Sequence, residues 1–507
     1  MSPLRAAPSE ARSAGRAAPR PSAPAKRAAA PRAAAALILA LLLLVIVRLP
    51  WAGDLGMHAA TIERLRHSFL HPGDPLVDAD VPSPYYSPWM LLLGGLARLS
   101  GLSVFVVLRV AALAGLALLV TGVWRYVRTL SRHPAAPALA ALSLVLLWGT
   151  ELINWSGFLC LNSLALTVSY PSVLALGLAF HHWAWLSRAL RTPTGWGTWL
   201  GLGALWALIL LCHQFTGVVA TLGGLATVLA ARPPRPLWHK LAAGTALGLL
   251  LLWLWPYYDF FALFRAGGEL EDVHRALYTE FIGRYWLALL GVAALDRRWR
   301  RDRLDPLVLF FALGALVCAA GFVTGHYSWG RALPAALIPA QLAAALAVVG
   351  SGRRAARVRW ACALAAALAV GAWAQAGVVG YAVGRDRLPD VLAANYTAPW
   401  AGYYWITPYV KYGEVVMTRD FPARLVPAYG AYTVAPGYPD FFLPDESRRE
   451  AAVQRFYTRS TPRSVRRDIL RAYRVRWVVD GPRTDRDPAL RPVARGPAGQ
   501  TLYAVVP

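Results

Sequence analysis

Long apolar stretches recur along the whole chain, and they constrain its fold more than any other feature. A bilayer core of about 30 Å takes about 20 mostly apolar residues per helix. Windows of that kind fall at 33–50, 102–124, 136–153, 163–186, 196–212, 214–231, 240–257, 284–296, 306–325, 331–350 and 358–384. Only 16% of residues are charged and 57% are hydrophobic, against about 25% charged in an ordinary soluble domain. A chain this long and apolar cannot cover its surface with polar groups in water, which argues against a soluble enzyme. The expectation is a mainly α, polytopic membrane protein with about eleven transmembrane helices.

The 52 Lys and Arg residues against 27 Asp and Glu give a net charge of +25. Elsewhere that excess points to nucleic acid, but here the arginines follow the loops. With the N-terminus in the cytoplasm, the basic loops at Arg125/Arg128/Arg132, Arg188/Arg191, Arg232/Arg235/Lys240, Arg297 to Arg303 and Arg353 to Arg359 all fall inside. Asp54, Asp74, Asp78, Asp80, Glu151, Glu269, Glu271 and Asp272 fall outside. Cytoplasmic loops are enriched in Lys and Arg, so the bilayer accounts for the charge and no nucleic-acid partner is expected. The four cysteines lie inside apolar runs without a CxxC pair, which supports neither a disulfide framework nor a thiolate metal site.

Residues 1–32 are rich in Ala, Pro and Arg and read as a disordered basic cytoplasmic tail. Residues 33–384 form the transmembrane unit. An odd number of crossings places 385–507 outside the cytoplasm. There GEVVMT, RLVPAYGAYTVA, VRWVVD and TLYAVV have the β-branched and aromatic content of strands, and DESRREAAVQRFYT and TPRSVRRDILRAYR read as helices, together a small extracytoplasmic α/β domain.

The first external loop, 51–101, is far longer than a connection between helices needs, and such loops are usually functional or disordered. Asp54 follows the first membrane helix, with His58 four residues on and so on the same face of a helix starting there. Asp54 reads either as an N-cap or as a catalytic carboxylate. Asp78-Ala79-Asp80 can place two carboxylates on one divalent ion or be a Pro-flanked turn. Glu269, Glu271 and Asp272 form an acidic loop that can hold metal, steer a substrate or simply be solvated. His213 ends a helix at the external boundary. His326 and Arg331 flank a gap between two helices, and Arg331 is the only Arg or Lys of that short loop. It reads either as a snorkelling residue or as an anion ligand.

These features together resemble the multi-spanning lipid-linked glycosyltransferases of the C-type fold, which include protein O-mannosyltransferases and lipid A aminoarabinose transferases. The resemblance is carried by the basic N-terminus, Asp54 after the first helix, the long first loop with SPYYSPWMLLLGGLARLSGL, RALPAALIPAQLA, and the polar tail with GEVVMT, VPAYGAY and LRAYRVRWVVD. It implies an integral protein of a bacterial plasma membrane. Such a protein moves a sugar from a polyprenyl-phosphate donor to an extracytoplasmic glycan, lipid or protein acceptor, with inversion. Asp54 would be the base and Arg331 the ligand of the lipid phosphate. His58, Asp78, Asp80, His213, Glu269, Asp272 and His326 would line the substrate site. The family often has two adjacent acids where Asp54 is followed by Leu55 and Gly56, so a second carboxylate would come from Asp78, Asp80 or Glu269, or be absent altogether. A divalent metal is compatible with these acids but not required. The alternatives are a transporter or flippase of a lipid-linked precursor, or a non-catalytic membrane scaffold.

Overall fold

The computed structural model describes residues 29–265, 269–481, 487–497 and 499–506. The expected disordered tail lies outside the described residues up to position 28. The first helix, α1 (Ala29–Arg48), is rich in Ala and Leu and carries no acid. The first loop then folds into two helices, α2 (Leu55–His67) and α3 (Pro88–Ser100). Ser87 caps α3 by accepting from the Met90 N–H, Pro88 starts its first turn, and Gly101 closes it in the left-handed conformation, where glycine carries no Cβ penalty.

The bundle continues with α4 (Val104–Leu130), α5 (Ala136–Leu146), α6 (Pro171–Ala189), α7 (Trp196–Cys212), α8 (Gln214–Ala231) and α9 (Arg235–Trp253). After a stretch of short turns come α10 (Leu289–Trp299), α11 (Pro306–Thr324), α12 (Leu333–Gly350) and α13 (Arg354–Ala374). Each expected apolar segment overlaps one of these helices. Among the described residues six segments are long and apolar enough to cross a membrane: α1, α4, α8, α11, Tyr327–Gly350 and α13; α5 and α7 are shorter apolar helices.

The sequence windows ran through local breaks. A break at Thr167–Tyr170 splits the 163–186 window into Leu161–Leu166 and α6, whose first residue is Pro171, a position where the fixed φ of proline and its missing N–H suit a helix start. Helix α5 stops at Leu146, and 284–296 is divided between short turns and the 11-residue α10. Helix α12 is buried nearly all round, and its Gln341 amide donates to the Leu147 carbonyl at 2.9 Å. A helix apolar on every side belongs inside a bundle.

The C-terminal part holds a five-stranded mixed sheet of order β2-β1-β3-β5-β4, with β1 (Val415–Met417), β2 (Tyr432–Thr433), β3 (Val475–Asp480), β4 (Leu490–Arg495) and β5 (Thr501–Val505). β1 runs parallel to β2 and β3; β5 pairs antiparallel with β3 and β4. Helices α14 (Glu446–Tyr457) and α15 (Arg463–Ala472) pack on it through Val453, Phe456 and Leu470. The VPAY part of the segment read as a strand is instead a 3-10 turn at Val426–Tyr429, and only Tyr432–Thr433 pairs.

The first loop is stitched to this part of the chain. The Thr433 N–H donates to the Leu76 carbonyl at 2.8 Å. The fully buried Arg64 of α2 donates to the carbonyls of Pro75, Gly430 and Ala431 and stacks 3.6 Å from the Tyr432 ring centroid. An arginine whose donors all end on backbone carbonyls fixes the chain segments it joins.

Candidate functional site

The turn after α1 places Asp54 at the N-terminus of α2. Gly53 takes a positive φ of +50° there, and the Tyr170 hydroxyl donates to the Ala52 carbonyl. Asp54 occupies the N-cap position, yet its side chain makes no capping bond. Of the two readings of this residue, the cap is therefore the one the geometry removes. The carboxylate instead borders a cavity of about 770 Å³, together with His58, His213 and Arg331.

His58 stands one turn along α2, its ring edge-on between Tyr170 and Tyr85 at centroid distances of 4.7 and 5.8 Å. Its Nδ1 is buried without a hydrogen-bond partner. Burial pushes its pKa down to about 3, so His58 meets the cavity as a neutral ring. His213 caps α8: its Nδ1 accepts from the Thr216 N–H at 3.2 Å and lies 2.8 Å from Thr216 Oγ1.

Arg331 is only 6% exposed. It donates to Ser156 Oγ at 2.9 Å and lies over the rings of Phe215 and Trp155 at 4.7 and 5.2 Å. Among the described residues it forms no ion pair with a carboxylate. Glu271 anchors the turn before it, accepting from the Ser328 N–H and hydroxyl, both at 2.7 Å. A buried guanidinium without a carboxylate partner is costly unless an anion comes to it.

A second guanidinium reaches the cavity from the C-terminal part. Arg424 donates to the Gly437 carbonyl and lies 5.1 Å from the Tyr438 ring centroid. Gly56 of α2 permits this approach, because a Cβ there would stand 2.0 Å from the Arg424 carbonyl oxygen. Burial raises the Asp54 carboxyl above its ordinary range, and the guanidinium groups of Arg331 and Arg424 pull it back. Tyr438, pushed up to about 12 mainly by burial, is a neutral donor at this wall. The cavity thus joins Asp54, two guanidinium groups and aromatic hydroxyls, with Asp440, Glu446 and Glu450 lining it from the C-terminal part.

No family model and no curated protein sequence matches the chain. Solved structures do. The arabinofuranosyltransferase AftD from mycobacteria matches at 17% identity and a TM-score of 0.54, over 94% of this chain and 40% of that one. ArnT from Cupriavidus metallidurans, solved bound to undecaprenyl phosphate, matches at 16% identity and a TM-score of 0.53, over 93% and 98%. The chain has the C-type glycosyltransferase fold. It spans two fifths of the length of AftD and nearly all of ArnT. The apolar helices and this fold make it an integral membrane protein.

Within the C-type fold, the other described sequence candidates, Asp78, Asp80, Asp272 and His326, do not line the cavity. Asp78 pairs with Arg474 at 2.6 Å and Asp80 is exposed, so DAD is a turn tied to the C-terminal part. Asp272 is exposed, and the side chain of Glu269 lies outside the described residues. His326 is also exposed, stacked on Trp329 with its Nδ1 3.0 Å from Thr324 Oγ1. Among the described residues no group of three or more His, Cys, Asp or Glu is arranged to hold a metal ion.

Sequence reasoning missed Arg424, Tyr438 and Asp440, which line the cavity from the far end of the chain, and Tyr85, Trp155, Tyr170 and Phe215 from intervening turns. For Tyr85 the signal was present, since YY in a Pro-rich part of the long loop invited attention. For Arg424 there was none, because it is one arginine in an arginine-rich tail.

Proposed function

We propose that this membrane protein transfers a sugar from a polyprenyl-phosphate donor to a hydroxyl acceptor outside the cytoplasm. One observation carries the reading: Asp54, free of any capping bond, borders the same cavity as two guanidinium groups. Undecaprenyl phosphate bound in ArnT supports a lipid-phosphate donor. Arg331 and Arg424 would hold the donor phosphate, with its lipid tail among the apolar helices. The acceptor hydroxyl would approach on the Asp54 side of the sugar.

The proton of that hydroxyl passes to Asp54 as its oxygen bonds to the anomeric carbon. The bond from that carbon to the phosphate oxygen breaks, and the electron pair leaves with the lipid phosphate. The charge growing on the phosphate is stabilised by the guanidinium groups, which bind this state more strongly than the ground state. A single displacement inverts the anomeric centre. Neutral His58 and Tyr438 are suited to orient sugar hydroxyls, since neither needs a counter-charge.

The topology that suits this chemistry has the N-terminus inside and eleven crossings, with α5, α6, α7, α9 and α10 completing the six long apolar segments. Residues 33–384 form the membrane unit and 385–507 the extracytoplasmic domain of a bacterial plasma-membrane protein. Incubating the purified protein with radiolabelled polyprenyl-phosphate sugars and a mixed glycan, lipid and protein acceptor fraction tests the reading. Release of the free lipid phosphate with label in the acceptor supports it. Donor carried across proteoliposomes without release would instead make the protein a transporter.

A further inference from the structure

Between α5 and the short helix Leu161–Leu166 the chain has no regular structure, so the buried carbonyls of this segment must find their donors elsewhere. The Ile153 carbonyl accepts from Ser163 Oγ at 2.7 Å and from Asn162 Nδ2 at 3.3 Å. Asn162 is only 1% exposed, and partners meet each side of its amide. Its Oδ1 accepts from the Tyr381 hydroxyl at 3.2 Å, and its Nδ2 also donates to Asn154 Oδ1. Its backbone N–H donates to Gln375 Oε1 at 3.1 Å, and Gln375, at the end of α13, donates in turn to the Val145 carbonyl at 3.0 Å.

These partners fix the direction of two amides. A backbone carbonyl cannot donate, so the atom of Asn162 that meets Ile153 must be its N–H2 group, and both of its hydrogens are then spent on Ile153 and Asn154. Asn154 must therefore turn its oxygen toward Asn162. Its own N–H2 group is left facing away from the network, and among the described residues no acceptor takes it. Asn154 is exposed, and it lines the cavity that holds Asp54 and Arg331. An amide on an open surface turns freely between water partners, whereas this one is clamped from behind by a buried chain of donors. Two residues on, Ser156 accepts from Arg331, so one turn both holds the guanidinium and presents a neutral donor beside it. Such a donor adds direction at an anion without adding charge, and it costs no reorganisation because it is already set.

We propose that Asn154 is a further ligand of the donor phosphate, its amide N–H held toward the cavity by Asn162 and Tyr381 as positioning residues. The proposal rests on the reading of Arg331 as a phosphate ligand in sugar transfer. The contact is made to the phosphate itself, so it is present with the free lipid phosphate as well as with the sugar-bearing donor.

The test is equilibrium binding of tritiated undecaprenyl phosphate to the full-length protein in neutral detergent, with thermal unfolding recorded alongside. Asn154→Ala should weaken binding about tenfold to hundredfold, the usual worth of a hydrogen bond to a charged group, with unfolding unchanged because the side chain is exposed. Asn154→Asp, which sets a carboxylate against the phosphate, should weaken it further. Tyr381→Phe removes the hydroxyl that holds Asn162 and should weaken binding about twofold to tenfold in the unmodified protein, yet change nothing in the Asn154→Ala background. A merely structural loss at Tyr381 would not vanish in that background, so effects of the two variants that multiply overturn the positioning role. Binding by Asn154→Ala within about twofold of the unmodified protein, while Arg331→Ala is impaired, overturns the proposal and leaves the sugar-transfer reading standing. An unmodified protein that does not hold undecaprenyl phosphate removes that reading and the proposal together.

Discussion

Replacing Asp54 with Asn separates the chemistry proposed here from every structural role the residue could have. A true N-cap costs about 0.5–2 kcal/mol when lost, but the Asp54 side chain makes no capping bond to lose. Removing a general base lowers the rate by roughly a hundredfold to ten-thousandfold, or about 3–5 kcal/mol at 1.36 kcal/mol per decade. Activity and stability should therefore part company in Asp54→Asn.

The sign of the stability change follows from the charge. Burial outweighs the two guanidinium groups and holds the folded-state pKa of Asp54 above its ordinary value. A group raised in this way favours folding below the unfolded pKa, and that contribution is lost as pH rises through the folded value. Near neutral pH the buried carboxylate is a net burden, so Asp54→Asn should unfold at an equal or higher temperature in detergent. The rate should fall as pH drops through a value above the usual carboxylate range, a limb absent from the residual activity of the Asn variant. Single-turnover transfer, donor binding and thermal unfolding, each followed against pH, are the assays. Transfer within a few-fold of the unmodified protein, or an unchanged acid limb in the variant, would refute the argument.

The two guanidinium groups give graded expectations. Arg331→Lys keeps the charge without the planar fork and should slow transfer, and Arg331→Ala should slow it further, by an amount on the order of 2.7–4 kcal/mol for a lost transition-state donor; unchanged donor kinetics in Arg331→Ala would remove it from the site. Arg424→Gln should weaken donor binding while the tail stays folded, and an unaffected Kd for the lipid phosphate would count against a second phosphate ligand. Gly56→Ala drives a methyl group into the Arg424 carbonyl, an overpacking worth about 1–3 kcal/mol; normal melting and normal transfer together would mean that α2 and the 424 segment need not touch. An impermeant thiol reagent should label Ser447→Cys in intact cells, and labelling only after permeabilisation would reverse the proposed topology.

What the sequence could disclose about the site divides along a physical line. Asp54, His58, His213 and Arg331 were legible because each stands where a charge or an imidazole is expensive, at the end of an apolar run, so its presence there called for a reason. Asp78 and Asp80 drew attention by spacing alone, which cannot distinguish a metal ligand from a turn, and Arg474 claims Asp78 from almost 400 residues away. Asp440 and Arg424 were illegible for a different reason: neither stands at the end of a membrane-length apolar run, and the contacts that bring their segment to α2, at Gly56 and through Arg64 to Gly430 and Ala431, join residues more than 360 positions apart. The helix windows were sound as composition but blind to the break before Pro171, where a new helix starts inside a run that hydropathy averages across. The acceptor would have to meet the cavity at the wall built from Tyr438, Asp440 and the start of α14, which is the part of the site that local sequence describes least. Acceptor specificity should therefore respond to substitutions in 424–450 while donor use responds to those at Asp54 and Arg331.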